Sequence, residues 1–174
     1  MPVDIYRNND YQVLSINTSK STEYQIRRMR LTDIDTLVKI EQITWPNESW
    51  PFETFFDHII HPFWHCWILE STNNDNLILG YGLQYVYKSV SHIANLCIDP
   101  NQRGRGLGKI LLRYMIDHSR LFGASAIELE VNTSNIPAYN LYYKHGFIII
   151  ELLEQYYSDN TDAYRMQLSI DRTS

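Results

Sequence analysis

Residues 103–109 read Arg-Gly-Arg-Gly-Leu-Gly-Lys, so glycines alternate with three cations and one leucine. Such a stretch lets backbone amides approach an anionic ligand without intervening side chains. An apolar stripe follows at Leu107, Ile110, Leu111, Tyr114, Met115 and Leu121. It predicts a helix, closed by Gly123, whose first amides point at the same place. Arg103, Arg105 and Lys109 add charge for phosphate oxygens. The chemistry expected of this turn is the cradling of a diphosphate; the competing reading is a flexible turn with solvated arginines. Two other nucleotide patterns fail on the letters. No GxxxxGK[ST] string occurs, and the third glycine is misplaced for GxGxxG.

Three further groupings bear on chemistry. In Ser125–Val131, Ile127, Leu129 and Val131 alternate with Glu128 and Glu130, which predicts a strand with two carboxylates on one face. Glu130, nearer the carboxyl end of that strand, where such sheets commonly face ligands, is the candidate general base; the other reading is a solvated acid on a polar face. His58, His61, His65 and Cys66 invite a zinc site, but Pro62 breaks the helix that would align them, and no metal is expected. Cys97 lies in the apolar run ANLCI with no base near it in sequence, and it reads as packing rather than as an acyl-carrying nucleophile.

The elements that position these groups follow from periodicity and breakers. Tyr24–Met29 is a first strand. Thr32 is a candidate N-cap for a helix through Ile34, Leu37, Val38 and Glu41, ending by Thr44 before the segment WPNESWP. Phe52–Ile60 is a second helix, and Trp64–Glu70, Leu77–Tyr87 and Ser91–Ile98 are strands. After the helix from Leu107 and the strand Ser125–Val131, Pro137 opens a helix ending at Gly146. Phe147–Tyr157 and Ala163–Ile170 are the last strands, joined by SDNTD. The order β-α-α-β-β-β-α-β-α-β-β describes one mixed α/β domain over residues 23–170, preceded by a polar arm over residues 1–22.

Composition narrows the classes. Of 174 residues, 44% are hydrophobic and 20% charged, and the formal charge of −5 argues against a nucleic-acid binder relying on a broad basic surface. Neither a signal core nor a membrane-length apolar run is present, and Cys66 and Cys97 sit in apolar runs as buried thiols would in a reducing compartment, so a cytoplasmic location is expected. Thirteen tyrosines and four tryptophans suit strands and recognition surfaces equally.

The pattern Arg103-x-x-Gly106-x-Gly108, preceded by Asp99-Pro100 and followed by LEVNTSNIPAYNLYYKHGF (residues 129–147), resembles the GNAT acetyltransferases over roughly Tyr24 to Ile170. Within that family it is similar to N-terminal protein acetyltransferases of the RimI type and the archaeal NatA-like enzymes, in Leu129-Glu130-Val131, Ser134-Asn135, Leu141-Tyr142 and the ending Tyr156-Tyr157 to Asp162-Ala163-Tyr164 and Met166. Asn160-Thr161 departs from the Gly-Glu of that ending.

The resemblance implies a single GNAT-type mixed sheet flanked by helices, acetyl-CoA as acetyl donor, and a protein N-terminus or peptide as acceptor, without nucleic acid or membrane as partner. It implies Glu130 as base, His92 as its relay partner and Tyr142 as donor to the departing thiolate. Residues 103–109 and Asn135 would contact the coenzyme, and the backbone of Leu96, Cys97 and Ile98 would line its pantetheine arm. Glu48, Trp50, Tyr156 and Tyr157 would wall the peptide. The chemistry is direct transfer, and an α-amine near pKa 8 asks less of a base than a lysine near 10.4. A GNAT acting on a small amine, or an idle acetyl-CoA-binding module, are the other readings.

Overall fold

The structure is a computed structural model that describes residues 24–73 and 77–170. The expected arm over residues 1–22 lies outside the described residues. In chain order the elements are β1 (Tyr24–Arg28), α1 (Ile34–Thr44), α2 (Phe52–Ile60), β2 (Trp64–Ser71), β3 (Ile78–Tyr87), β4 (Val90–Ile98), α3 (Leu107–Leu121), β5 (Ala126–Asn132), α4 (Ile136–Lys144), β6 (Ile148–Leu153) and β7 (Ala163–Ser169). Short 3-10 turns at Leu31–Asp33 and Pro100–Gln102 interrupt the connections. The strands form one sheet in the order β1-β2-β3-β4-β5-β7-β6. Among the described strands only β4 and β5 pair in parallel, because α3 carries the chain back between them.

Each face of the sheet buries its own helices. On one face, Ile34, Leu37 and Ile40 of α1 and Phe55 of α2 pack on Cys66 and Ile68 of β2, Tyr81 and Leu83 of β3, and Cys97 of β4. On the other, Leu111, Leu112, Met115 and Ile116 of α3 and Tyr142 of α4 pack on Ile127, Leu129 and Val131 of β5 and Met166 of β7. β2 is buried on both faces from His65 to Glu70, and its centre, Cys66 to Leu69, reads as a continuous apolar run. The cluster under α1 and α2 draws no strand residue from β5, β6 or β7. The carboxylates of β5 thus lie on the half of that face which α1 and α2 leave open.

Three sequence expectations are corrected. Thr32 does not cap α1: it sits inside the 3-10 turn, and Asp33 precedes the helix. The Asp33 carboxylate is drawn instead to the Arg30 amide and the Arg27 guanidinium, each at 2.7 Å. Leu121 is 78% exposed, while Leu112, Ile116 and Ser119 are buried. At about 100° per residue, Leu121 has rotated off the face centred between Leu111 and Ser119. β6 stops at Leu153 instead of running to Tyr157, because Gln155 turns left-handed (φ 52°), its amide held by Asp162 at 2.8 Å. Tyr156 and Tyr157 therefore belong to the β6–β7 loop.

Two irregularities set the course of β4. Leu83 pairs with Asn95 but Gln84 with Ile93, so Ala94 is an unopposed bulge. Pairing of β4 with β5 covers only Val90–His92 against Ala126–Glu128, although β4 continues to Ile98 and β5 to Asn132. Beyond His92 the two strands pair no further. Close approach of β3 to β4 at the far end of this parting depends on Gly80, where an added Cβ would meet the Cys97 carbonyl oxygen at 2.5 Å. At Gly82 it would meet the flexible end of the Met115 side chain at 2.6 Å and Leu111 at an ordinary 3.6 Å. Gly80→Ala is expected to lower stability by about 1–3 kcal/mol, and more than Gly82→Ala. Denaturant unfolding of the two variants checks the order; equal effects would show that β3 and β4 move apart freely.

Candidate active site

Where β4 and β5 cease to pair, His92 donates from Nε2 to Oε2 of Glu130 at 2.7 Å. Arg165 of β7 donates from Nε to the other oxygen, Oε1, at 3.0 Å, and from its terminal nitrogen to Glu151 of β6 at 2.6 Å. Register explains the meeting: Glu130 lies opposite Arg165, and Arg165 opposite Glu151, across antiparallel pairs. The His92 bond, and then Arg165, hold the Glu130 carboxyl below its ordinary range against the opposing effect of burial. Nδ1 of His92 is buried and has no hydrogen-bond partner among the described residues. Glu128, one step along the same face, is bonded by Gln167 at 2.8 Å instead.

Around this pair stand the tyrosines. The Tyr85 ring lies 5.2 Å from the His92 ring, centroid to centroid, its strand being the neighbour of β4. Burial, then the charges of Glu130 and Glu128, raise its phenol. Burial pushes Tyr157 up to about 12, with Tyr156, Glu130 and Glu48 adding to the effect. Tyr142 is raised further, by burial first and then by its neighbours Tyr157 and Cys97. Its phenol stays protonated at any physiological pH and remains a donor. Tyr143, one residue on, is 61% exposed on the other side of α4. The structure thus gathers Glu130, His92, Tyr142, Tyr156 and Tyr157 into one neighbourhood.

The glycine turn sits at the carboxyl end of β4. Gly104 and Gly106 adopt φ 78° and 76°, the latter as the N-cap of the fifteen-residue α3, and nothing lies within 4 Å of where a Cβ would stand on either. The space in front of the turn is open to a ligand, and the first amides of α3 face it unpaired by the helix. Leu107 is buried as the anchor of the helix start, and a Cβ added at Gly108 would come to ordinary contact with Leu141 and Ile98. Arg103 donates from Nε to the Ile98 carbonyl at 3.2 Å, and Arg105 donates to Gln102 at 2.6 Å. Leu96, Cys97 and Ile98 lie on the unpaired stretch of β4, so backbone groups on its β5 side meet no strand. Asn135 caps α4 by accepting the Ala138 amide at 3.2 Å. These residues fit a pyrophosphate with an extended amide-bearing arm. Burial lifts the Cys97 thiol to about 12, which leaves it a thiol and not a nucleophile at neutral pH.

Among the residues expected to wall a peptide, Glu48 accepts a hydrogen bond from Ser158, which ties the α1–α2 segment to the β6–β7 loop. Trp50 is half-buried: its ring packs edge-on against Phe55 at 5.8 Å and stacks on His58 at 5.4 Å, and its amide donates to Glu41 at 2.9 Å. It anchors the segment, whereas Glu48 and Tyr156 are exposed. The side chains with zinc-ligand chemistry are not gathered: His58 lies against Trp50 and Trp64, while His65 lies against Arg28, His118 and Phe122.

Sequence reasoning missed Arg165, Tyr85 and Glu41. Glu41 is 1% exposed, raised by burial, and bonded to Tyr81, to Asn95 at 3.3 Å and to the Trp50 amide. Tyr85 was legible in principle, since a two-residue turn at Lys88-Ser89 sets Tyr85 opposite His92. Arg165 was not, because nothing local says which residue of β7 faces Glu130.

Comparison with known proteins places this geometry. Residues 34–147 match the acetyltransferase (GNAT) family. The chain is 31% identical over 160 residues to an N-alpha-acetyltransferase of Sulfurisphaera tokodaii, covering 84% of this chain and 93% of that one. It is 30% identical over 142 residues to the ribosomal protein bS18-alanine N-acetyltransferase of Salmonella typhimurium, covering 80% and 93%. The crystal structure of the ribosomal-protein-S18-alanine N-acetyltransferase from Escherichia coli superposes with a TM-score of 0.76 at 27% identity, over 87% of this chain and 96% of that one. Matching family pattern, matching relatives over most of their length, and an open turn beside parted strands lead to one conclusion: the chain belongs to the GNAT acetyltransferase family.

Proposed function

We propose that this enzyme transfers an acetyl group from acetyl-CoA directly to the α-amine of protein N-termini, using residues 23–170 as one catalytic domain. The observation that carries the reading is the His92–Glu130 pair, placed where β4 and β5 part and walled by the β6–β7 loop. The relatives named for N-terminal acetylation support the same acceptor.

Acetyl-CoA would supply an acyl carbon activated as a thioester, held by the amides of Gly104 to Lys109, the backbone of Leu96 to Ile98, and Asn135. Arg103, Arg105 and Lys109 balance its phosphate charge. Glu130 attracts and orients the ammonium form of the acceptor and takes its proton, directly or through water. Arg165 and the Nε2–H of His92 keep that carboxylate ionised and aimed. A carboxyl held below its ordinary range lies well below an α-amine near pKa 8, so direct proton transfer to it is uphill. Such a step is fast enough only for an acceptor already partly neutral. A lysine amine near 10.4 adds about 3 kcal/mol to the same step. Tyr142 keeps its proton at the buried end of the site, where a departing sulfur needs a donor. Glu48, Tyr156 and Tyr157 border the entry of the peptide, with Trp50 holding the segment that carries Glu48.

Peptides incubated with acetyl-CoA are therefore expected to gain acetyl groups on their α-amines, with lysine side chains a minor product. Tandem mass spectrometry of a mixed peptide set reads this out. Faster reaction of spermidine or of internal lysines than of every peptide terminus would assign the site to small or side-chain amines.

A further inference from the structure

Resting on the peptide-terminus reading, we propose that Tyr85, Tyr87 and Trp64 form an aromatic floor that selects substrates by the residues following the reacting amine. The floor favours apolar and aromatic side chains at the second and third positions.

Cross-strand pairing lines these rings up. Trp64 of β2 lies opposite Tyr85 of β3, and Tyr85 opposite His92 of β4. Their ring centroids are separated by 5.0 Å and 5.2 Å. Tyr87 shares the Tyr85 face of β3 and is 67% exposed. Phe63, beside Trp64 in the chain, is 65% exposed, and Tyr156 of the opposite wall is 49% exposed. Tyr85 and Trp64 are half-buried, with His58 of α2 against Trp64 at 3.8 Å, so the uncovered aromatic surface beside the reactive pair is that of Tyr87 and the open side of Tyr85, which suits binding.

The direction of approach follows from the same strands. The open glycine turn stands at the carboxyl end of β4, so a donor held there occupies the parting from that side. The acceptor must then reach Glu130 from the amino end of β4, which is where Tyr85, Tyr87 and Trp64 lie. An extended peptide advances about 3.3 Å per residue, and neighbouring strands are about 4.8 Å apart. The Glu130 carboxylate meets His92 of β4, one strand from Tyr85 and two from Trp64, so a chain crossing toward β2 from that point places its second or third residue over Tyr85 and its fourth beside Trp64.

Charge sharpens the choice. Glu128 and Glu130 stand close enough to Tyr85 to raise its phenol, so an acidic second residue is repelled. The Lys88 ammonium lies 5.3 Å from the Tyr87 ring centroid and occupies the cation site of that ring. A basic side chain arriving there meets a like charge. Uncharged apolar groups meet neither penalty.

The test uses the full chain, acetyl-CoA and two peptide sets beginning Ala-X and Ala-Ala-X, where X is Phe, Leu, Gly, Asp or Lys. The value of kcat/KM for Phe and Leu is expected to exceed that for Gly and Asp by about tenfold. In Tyr85→Ala the Phe-to-Gly ratio should fall to within about twofold of unity. Tyr87→Ala, at an exposed position that does not endanger folding, should lower the preference at the third position. A ratio near unity in the parent, or a ratio that survives in both variants, overturns the floor while α-amine acetylation persists. Absence of acetylation on any peptide terminus overturns the functional reading and the floor with it.

Discussion

Replacing Gly106 with aspartate is expected to abolish measurable acetyl-CoA binding. Gly106 holds φ 76° at the start of α3, with open space where a side chain would stand. An L-residue in that conformation costs about 1–2 kcal/mol, so strain alone weakens a ligand that needs this conformation by about tenfold. An aspartate adds a negative charge pointing into the space assigned to the pyrophosphate and sets it against the helix amides that would hold the phosphates. Gly106→Ala carries the strain without the charge and serves as the control. Titration calorimetry with coenzyme A should show modest weakening for alanine and loss of detectable heat for aspartate, with circular dichroism of both unchanged. Equal affinities for the two variants would mean that the turn does not hold the phosphates.

Glu130→Gln should reduce turnover by about 10²-fold, the lower end of the usual range for a general base, while leaving affinity for coenzyme A nearly intact. The lower end is expected because this carboxylate is held low by His92 and Arg165 and is a weak acceptor. Glutamine keeps the shape, but its amide sets an N–H against either the His92 Nε2–H or the Arg165 Nε–H, so one of the two bonds is lost. The defect should shrink as pH rises above about 8, where the α-amine arrives deprotonated. Glu128→Gln shares the strand face and lacks those partners, so it should change turnover little. Identical behaviour of the two variants across pH would make Glu130 a sheet ion pair and nothing more.

Much of this was legible in the chain itself. Glycine at positions 104, 106 and 108, the alternation of Ile127, Glu128, Leu129, Glu130 and Val131, and the break at Pro62 each act within a few residues. They predict the turn, the face of β5 and the end of α2 without reference to distant partners. The element order and the reading of Cys97 as packing follow from the same local signals, and the structure places them accordingly.

Tertiary structure decided what those elements meet. The bulge at Ala94 turns His92 and Asn95 to the same face, so that one reaches Glu130 and the other Glu41. β5–β7 register sets Arg165 against Glu130, and a left-handed Gln155 ends β6 before Tyr156. Glu41, read in sequence only as one position of a helical stripe, becomes a buried acceptor because Tyr81, Asn95 and the Trp50 amide converge on it. Backbone conformation and facing are set by neighbours in the chain, through sterics and period. Pairs of side chains across strands are set by register, and a single unopposed residue shifts every pair beyond it. The sequence therefore determined which groups have the chemistry, and the sheet determined which of them touch.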